Sequence, residues 1–423
     1  MTTEMSAACP DCAAPLVADE RYPSWCPGCG WGVDPSPPKP PRGRVDRWIR
    51  RVGDRTMASV HERLCRAEVS RPSRDVAWVL TYVLAGCVHA VTVAVAVLGI
   101  WLCLSGRLVL VLFGLFALAI VVLLRPRLGK LDPEVELLDR DEAPQLYALC
   151  DAVADAIGAR HIEQIGLDPD LNAYYTVVGI RRRRTMVLGA PLWTVLDRQG
   201  RVALLGHELG HGANGDIRQG VVVDGALRTL VHWYGLIRPG RDSVFAARGN
   251  PLGMIAGLLL LVPQAIVGGA LYCVIVAFAL VSLRVGQRAE YLADAMSVRA
   301  AGRSGARSSL ETLLVAPSLL RASRLVPRNA PAGASYAALV AHAAELPATE
   351  KDRLVRRGRS RRHRVDASHP PTAMRLDHVA SRPDEPARVV LDAGQAAAID
   401  AELAAPLARL ERQFRDLVRE YQV

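Results

Sequence analysis

Two histidines four residues apart bracket a glutamate in the string His207-Glu208-Leu209-Gly210-His211. On an α-helix, positions i and i+4 share a face, so both imidazoles can reach one ion. Glu208, offset by one position, can lean over a water on that ion and take its proton as general base. Zinc suits such a set: three protein ligands leave a fourth place for water, which the ion acidifies while it polarises a scissile carbonyl. The third ligand is supplied by Glu290-Tyr291-Leu292-Ala293-Asp294, whose carboxylates stand one helical turn apart. Glu290 completes a His-His-Glu set, and Asp294 fixes a ligand histidine through its other ring nitrogen. A solvated helix face pairing with Arg288 is the plain alternative for this segment. A second metal pattern opens the chain: Cys9-Pro10-Asp11-Cys12 and Cys26-Pro27-Gly28-Cys29 are two knuckles separated by residues 13–25. Four thiolates from two tight turns give zinc a closed tetrahedral sulfur shell, which is structural or a docking module and carries no catalysis.

Each set needs an element to hold it. Residues 191–214 read as helices carrying the paired histidines, and residues 142–158 form an amphipathic helix through Leu146, Leu149, Val153 and Ile157. Residues 173–179 and 185–189 are β-rich around Gly179 and Arg181–Arg184, a hairpin with a basic tip. That tip is either a solvated turn or a contact for an anionic surface. Residues 301–364, rich in Ala and Arg, read as helical. Residues 393–421 read as an amphipathic surface helix through Ile399, Leu403, Leu407, Leu410, Phe414 and Leu417.

Long apolar runs separate these pieces. Val76 to Leu104 exceeds the roughly 20 helical residues that a bilayer core takes, and Leu108 to Leu124 lies near the lower limit. Ser105-Gly106-Arg107 joins them as a hairpin, with Trp78, Tyr82 and Trp101 at interfacial positions. The chain is dense in arginine from Arg42 to Arg74, and Arg125, Arg127 and Lys130 follow the hairpin. Positive flanks place the ribbon and everything after Leu124 on the cytoplasmic side. His89 inside the first span is either a functional group or a neutral imidazole hydrogen-bonded within the bundle. Lys and Arg total 52 against 42 Asp and Glu, a net +10. Beside such runs this charge faces anionic lipid; no recognition motif points to nucleic acid. Cys65, Cys87, Cys103, Cys150 and Cys273 are scattered and form no disulfide framework, so a reducing compartment is expected. Residues 1–40 hold no signal-peptide core.

The string HELGH, followed by Ala213-Asn214-Gly215-Asp216, an apolar region and Glu290-Tyr291-Leu292-Ala293-Asp294, resembles the integral-membrane peptidase family of the heat-shock protease HtpX and the CAAX prenyl endopeptidases. The likeness runs from about Asp170 to Arg375, with the hairpin in register. It implies that Asn172-Ala173 lies on an edge strand aligning substrate by β-augmentation. It also implies that His369, in Ser368-His369-Pro370-Pro371, stabilises the oxyanion and that Arg375 helps hold the site. The first 40 residues fall outside the likeness, and 217–237, with Arg218, Asp224, Arg228 and His232, is unusually polar for a span. His211 and Glu290 must meet on one ion, so the chain between them crosses the bilayer an even number of times. Either 217–237 and 252–283 each span once, lining a protected interior with Asp224 and His232, or 252–283 bends back at Pro263; the first is preferred.

The expected fold class is therefore mainly α: membrane helices, a zincin-like α+β metallopeptidase domain with a small sheet, and an N-terminal zinc ribbon. The expected organisation is a ribbon (1–33), a Pro/Arg-rich linker (34–74), a transmembrane hairpin (75–125), a metallopeptidase domain (131–383) with membrane-inserted segments near 217–237 and 252–283, and a C-terminal amphipathic helix (384–423). The leading function is a zinc endopeptidase at the cytoplasmic face of a bacterial inner membrane, taking membrane or misfolded polypeptides, with one catalytic and one structural zinc. The partners are substrate, the bilayer and a protein docking on the ribbon. A prenyl-type processing peptidase is the second reading, and an inactive zinc-ribbon adaptor the third. The intact set of His207, Glu208, His211 and Glu290 argues against the last.

Overall fold

The computed structural model describes residues 8–36, 43–66, 75–124, 131–179, 181–214, 220–237, 251–327, 329–360 and 369–420. Most of the proline-rich stretch, Arg71, Arg74, Arg125, Arg127, Lys130, Gly215, Asp216, Arg218 and Ser368 lie outside them. The fold is mainly α and divides into two units. One gathers Met1–Pro72, Leu128–Asp216 and Gly286–Val423; the other gathers Ser73–Arg127 and Ile217–Val285.

The first unit opens with a two-stranded ribbon, β1 (Val17–Asp19) and β2 (Tyr22–Trp25), antiparallel and beside the four cysteines. A four-stranded sheet follows, built from β3 (Glu136–Leu138), β4 (Gln164–Asp168), β5 (Ala173–Val178) and β6 (Arg183–Gly189) in the order β3-β4-β6-β5. Strands β4 and β6 are parallel, and the β5–β6 hairpin is antiparallel with Ala173 opposite Leu188. Central strand β6 buries Met186, Val187 and Leu188 completely, as a strand covered on both faces must. Strand β5 lies at the sheet edge.

Helix α4 (Pro144–Ile157), after the intervening hairpin and span helices described below, starts with proline at its first turn and ends on a left-handed Gly158. Its Tyr147 hydroxyl donates to the Leu138 carbonyl at 2.8 Å and accepts from the Ile165 N–H at 3.0 Å, tying helix to sheet. Helices α5 (Ala190–Val195) and α6 (Arg198–Asn214) follow β6, and almost every residue of α6 from Gly200 to Gly210 is buried. The same core takes up Leu310, Leu319 and Leu339, and the stripe Ile399, Leu403, Leu410 and Phe414 of the last helix (Ala393–Glu420). The terminal segment expected as separate is thus one wall of this core, because its apolar stripe has nowhere else to go.

The expected linker at 34–74 needs correction. Residues Arg44–Arg66 form helix α1, burying Gly53, Met57, Val60 and Leu64, with Val60 and Leu64 in the main core. Arginine density hides a helical repeat whose apolar positions 57, 60 and 64 fall on one face.

The second unit holds α2 (Val76–Leu104), α3 (Leu108–Leu124), a π-turn (Gly220–Asp224), α7 (Gly225–Ile237) and the first part of α8 (Pro251–Arg324, kinked at Gly302, whose φ is +75°), whose remainder from Gly286 belongs to the first unit. Among the described residues, two helices are long and apolar enough to cross a membrane: α2, and the part of α8 from Leu261. Only 17% and 11% of their most apolar windows are buried. Val83, Val93, Val97, Phe113 and Phe116 stand exposed, an apolar surface that water disfavours and a bilayer accepts. His89 donates from Nε2 to the Val222 carbonyl at 2.9 Å, so it is the hydrogen-bonded bundle histidine. Asp224 and His232 are accessible at the surface of the described residues.

Candidate metal centre

Helix α6 meets the second part of α8 at unusually short range. A Cβ at Gly206 would come within 2.9 Å of Ala300 Cβ, and one at Gly210 within 3.2 Å of Ala293 Cα. Each glycine directly precedes a motif histidine, so the backbone nearest α8 is the backbone that aims the imidazoles. The Ser297 hydroxyl donates to the Ala203 carbonyl at 2.8 Å and locks the crossing. Glu290 and Asp294 on α8 thereby face His207 and His211 on α6.

Three donor atoms form a compact triangle. His207 Nε2 and His211 Nε2 are 3.2 Å apart, His211 Nε2 and Glu290 Oε1 are 3.5 Å apart, and His207 Nε2 and Glu290 Oε2 are 3.6 Å apart. Tetrahedral zinc with bonds of about 2.0–2.1 Å requires ligand separations of roughly 3.3 Å, so these residues fit that ion. The alternative pairing of Glu290 on a solvated face does not describe this carboxylate, which is buried.

Behind the triangle lies a charged support. His207 Nδ1 is 3.1 Å from Asp294 Oδ1, a contact that would hold the proton on that nitrogen and leave Nε2 for an ion; Arg375 Nη2 lies 3.2 Å from both ring nitrogens. Asp294 in turn takes a forked pair from Arg375, Nη2 to Oδ1 at 2.6 Å and Nε to Oδ2 at 3.0 Å. Arg375 stands on α11 (Thr372–Ala380; α9 is Ala334–Glu345 and α10 is Ala348–Ser360), and its Nη1 reaches to 3.8 Å from Glu290 Oε2. His369, at the entry to α11, is half exposed and places Nδ1 2.7 Å from Glu290 Oε2. Burial opposes a charge on Glu290, but His369, His211, Arg375 and His207 outweigh it and hold the carboxyl down to about 2. For Asp294, burial is likewise overcome by Arg375 and His207, leaving it ionised well below the ordinary carboxylate range.

Glu208, also buried, lines a cavity of about 200 Å³ with Asn172, Ala173, His207, Asp294, His369 and Arg375. Asn172 is held beside the sheet by the Gly189 N–H, which donates to its carbonyl at 2.7 Å. Only glycine fits there, since a Cβ would sit 2.2 Å from that oxygen. Every residue singled out for the catalytic site thus gathers at one place, with edge strand β5 along its border. Sequence reasoning missed Tyr175, whose ring lies against Gly212 near the end of α6; alternation with Ala173 on β5 was its one signal. It also missed His378, buried on α11 and hydrogen-bonded through Nε2 to the Tyr291 carbonyl at 3.1 Å.

The four ribbon thiols lie within 4.8 Å of one another, with Cys9–Cys29 and Cys12–Cys26 sulfur distances of 3.5 Å. The backbone N–H of Cys29 favours the Cys26 thiolate, while Cys12 and Cys29 are shifted upward in the same cluster of thiols. This donor set, too, suits tetrahedral zinc.

The chain matches the profile of peptidase family M48 over residues 141–383. It is similar to the protein named Protease HtpX from Sodalis glossinidius (strain morsitans), 30% identical over 155 residues, which cover 34% of this chain and 49% of that protein. A protein of the same name from Xanthomonas oryzae pv. oryzae (strain MAFF 311018) is 28% identical over 219 residues, covering 50% of this chain and 72% of its own length. The chain thus spans about half the length of the first of these relatives. No solved structure matches it.

Proposed function

The chain belongs to peptidase family M48, and from that membership we propose that it is a membrane-embedded, zinc-dependent endopeptidase. It would cut membrane or misfolded polypeptides on the cytoplasmic side of a bacterial inner membrane. One observation carries the reading: the His207–His211–Glu290 triangle stands beside buried Glu208 in a cavity bordered by an edge strand.

His207, His211 and Glu290 would hold the ion, and zinc, when bound, supplies Lewis acidity toward the scissile carbonyl and the attacking water. Ala173, at the start of β5, offers backbone groups on which an extended substrate adds as a further strand, and Asn172, just before it, would align that substrate through its side chain. Glu208 takes the proton of the attacking water and returns it to the departing amine. His369, whose Nδ1 lies 2.7 Å from Glu290 Oε2, would present Nε2–H to the oxyanion. Asp294 and Arg375 hold His207 in the tautomer that leaves Nε2 for the ion. The ribbon cysteines Cys9, Cys12, Cys26 and Cys29 would hold a second, structural zinc. The exposed apolar helices and basic flanks support membrane residence with the site on the cytoplasmic face.

Glu208→Gln tests the assignment. Purified in detergent, the variant should keep two zinc ions per chain and lose casein cleavage by about 10²–10⁴-fold. Unchanged cleavage would remove Glu208 as the base, and a wild-type protein carrying only ribbon zinc would remove the metal centre.

A further inference from the structure

The ribbon lies outside the matched family region, yet it is clamped to the element that supports the catalytic residues. Three arginines of α10 share one face, Arg353, Arg356 and Arg357, at i, i+3 and i+4. Arg353 Nη1 donates to the Val33 carbonyl and Arg356 Nη1 to the Pro27 carbonyl, each at 2.7 Å. Pro27 lies between the two cysteines of the second knuckle. The Arg356 guanidinium also covers the Trp25 ring at 5.2 Å, and Arg357 Nε is 3.6 Å from Asp34 Oδ1. Arg353 is 2% exposed and Glu350, its forked partner, 3%. Such a pair tolerates burial only while its remaining N–H groups find acceptors.

The other side of α10 bears on α11. A Cβ at Gly358 would be 3.1 Å from Ala373 Cβ, and Arg359 Nη2 donates to Asp377 Oδ1 at 2.5 Å. Between Ala373 and Asp377 stands Arg375, which grips Asp294 and so orients His207. A continuous set of contacts therefore runs from the second cysteine knuckle through two helices to a metal-binding histidine. The ribbon's own strands have three and four residues, and so small a four-cysteine module depends on its ion for folding.

The geometry points to the ribbon as a metal-dependent brace for the catalytic centre. Zinc on the four thiolates shapes the carbonyls that receive Arg353 and Arg356, which fix α10, and α10 fixes the helix that presents Arg375. Loss of ribbon zinc bares a buried Arg–Glu pair, loosens α10 and α11, and slackens the grip on His207. Arg353 and Arg356 are positioning residues for the site.

Full-length protein in detergent decides this by hydrogen exchange and by release of the catalytic ion to a chelator. Cys26→Ser should lose ribbon zinc, exchange residues 348–360 and 372–380 at least tenfold faster, and release the catalytic ion about tenfold faster, as loss of an outer-shell partner does. Residues 164–168 and 183–189 should exchange as in the wild type. If they do not, the variant has lost its fold, and Arg356→Gln/Arg357→Gln decides instead. That double variant keeps all four thiolates and both zinc ions, and the same two accelerations are expected. Unchanged exchange at 372–380 with unchanged ion release, in a folded Cys26→Ser variant or in the arginine variant, overturns the proposal and leaves the ribbon a free docking arm. Neither readout needs peptide cleavage, so a failed peptidase assignment would be seen separately.

Discussion

Arg375 is a full charge 6% exposed, and it persists there because Asp294 accepts both of its forked N–H groups while Glu290 stands near. Removing one side of such a pair strands the other, at a cost of about 3–5 kcal/mol. Asp294→Asn should therefore lower thermal stability and weaken zinc binding at the catalytic site by about 10–100-fold, since His207 loses the acceptor that sets its tautomer. A chelator competition titration reads the affinity; an unchanged value would show that His207 is oriented by something else. His378, on the same helix, works differently. Burial, opposed in part by Asp294, pushes its imidazole down to about 4, so the folded protein holds it neutral. An unfolded chain takes up that proton near pH 6.5. Its contribution is complete above pH 6.5 and drains away as pH falls toward 4, by up to about 3 kcal/mol. Thermal midpoints measured from pH 7 to 4 should fall more steeply for the wild type than for His378→Gln. Parallel curves would mean that the site is hydrated.

At the scale of elements, the crossing of α6 and α8 is governed by what the glycines lack. Alanine at Gly210 would raise helix propensity by about 1 kcal/mol. Its methyl, however, would press on Ala293 and Met296, each 3.2 Å from the added carbon, and spread the two helices that share the ion. Packing should win: Gly210→Ala is expected to bind zinc at least tenfold more weakly and to melt earlier. A variant that melts later with full zinc content would show that the crossing has slack. The ligands on these helices were legible in the sequence because i, i+4 spacing is itself geometry. Glu290, far along the chain, was legible because the histidines demanded a third donor. His369 and Asn172 were visible only through family resemblance, since a loop histidine and a turn asparagine carry no periodic signal. Helix α1 was hidden by its arginines. The bond from Arg353 to Val33 joins residues 320 positions apart, and neither has a residue type that announces its partner.

For the molecule as a whole, the metal triangle constrains the path through the membrane. His211 and Glu290 come within 3.5 Å of each other, while the chain between them passes through the apolar unit and returns. An even number of crossings is required of that passage. Helix α7 has 13 residues, about 20 Å of rise, against a hydrocarbon core of about 30 Å. It can cross only with the π-turn (Gly220–Asp224) as part of the span. Labelling of one introduced cysteine at a time in membrane vesicles separates the arrangements, with Cys65, Cys87, Cys103 and Cys273 replaced by alanine, Cys150 buried, and the unaltered ribbon read as the background. A cysteine at Ser105, in the α2–α3 turn, should react only from the outer side, and one at Arg182, on the β5–β6 tip, only from the cytoplasmic side. A cysteine at Leu236, on the exposed end of α7, should react from the outer side if 217–237 and 252–283 each cross once. Reaction of Leu236 from the cytoplasm would instead make 252–283 a re-entrant bend at Pro263. Reaction of Ser105 and Arg182 from one side would break the positive-inside orientation, and with it the cytoplasmic placement of the metal centre.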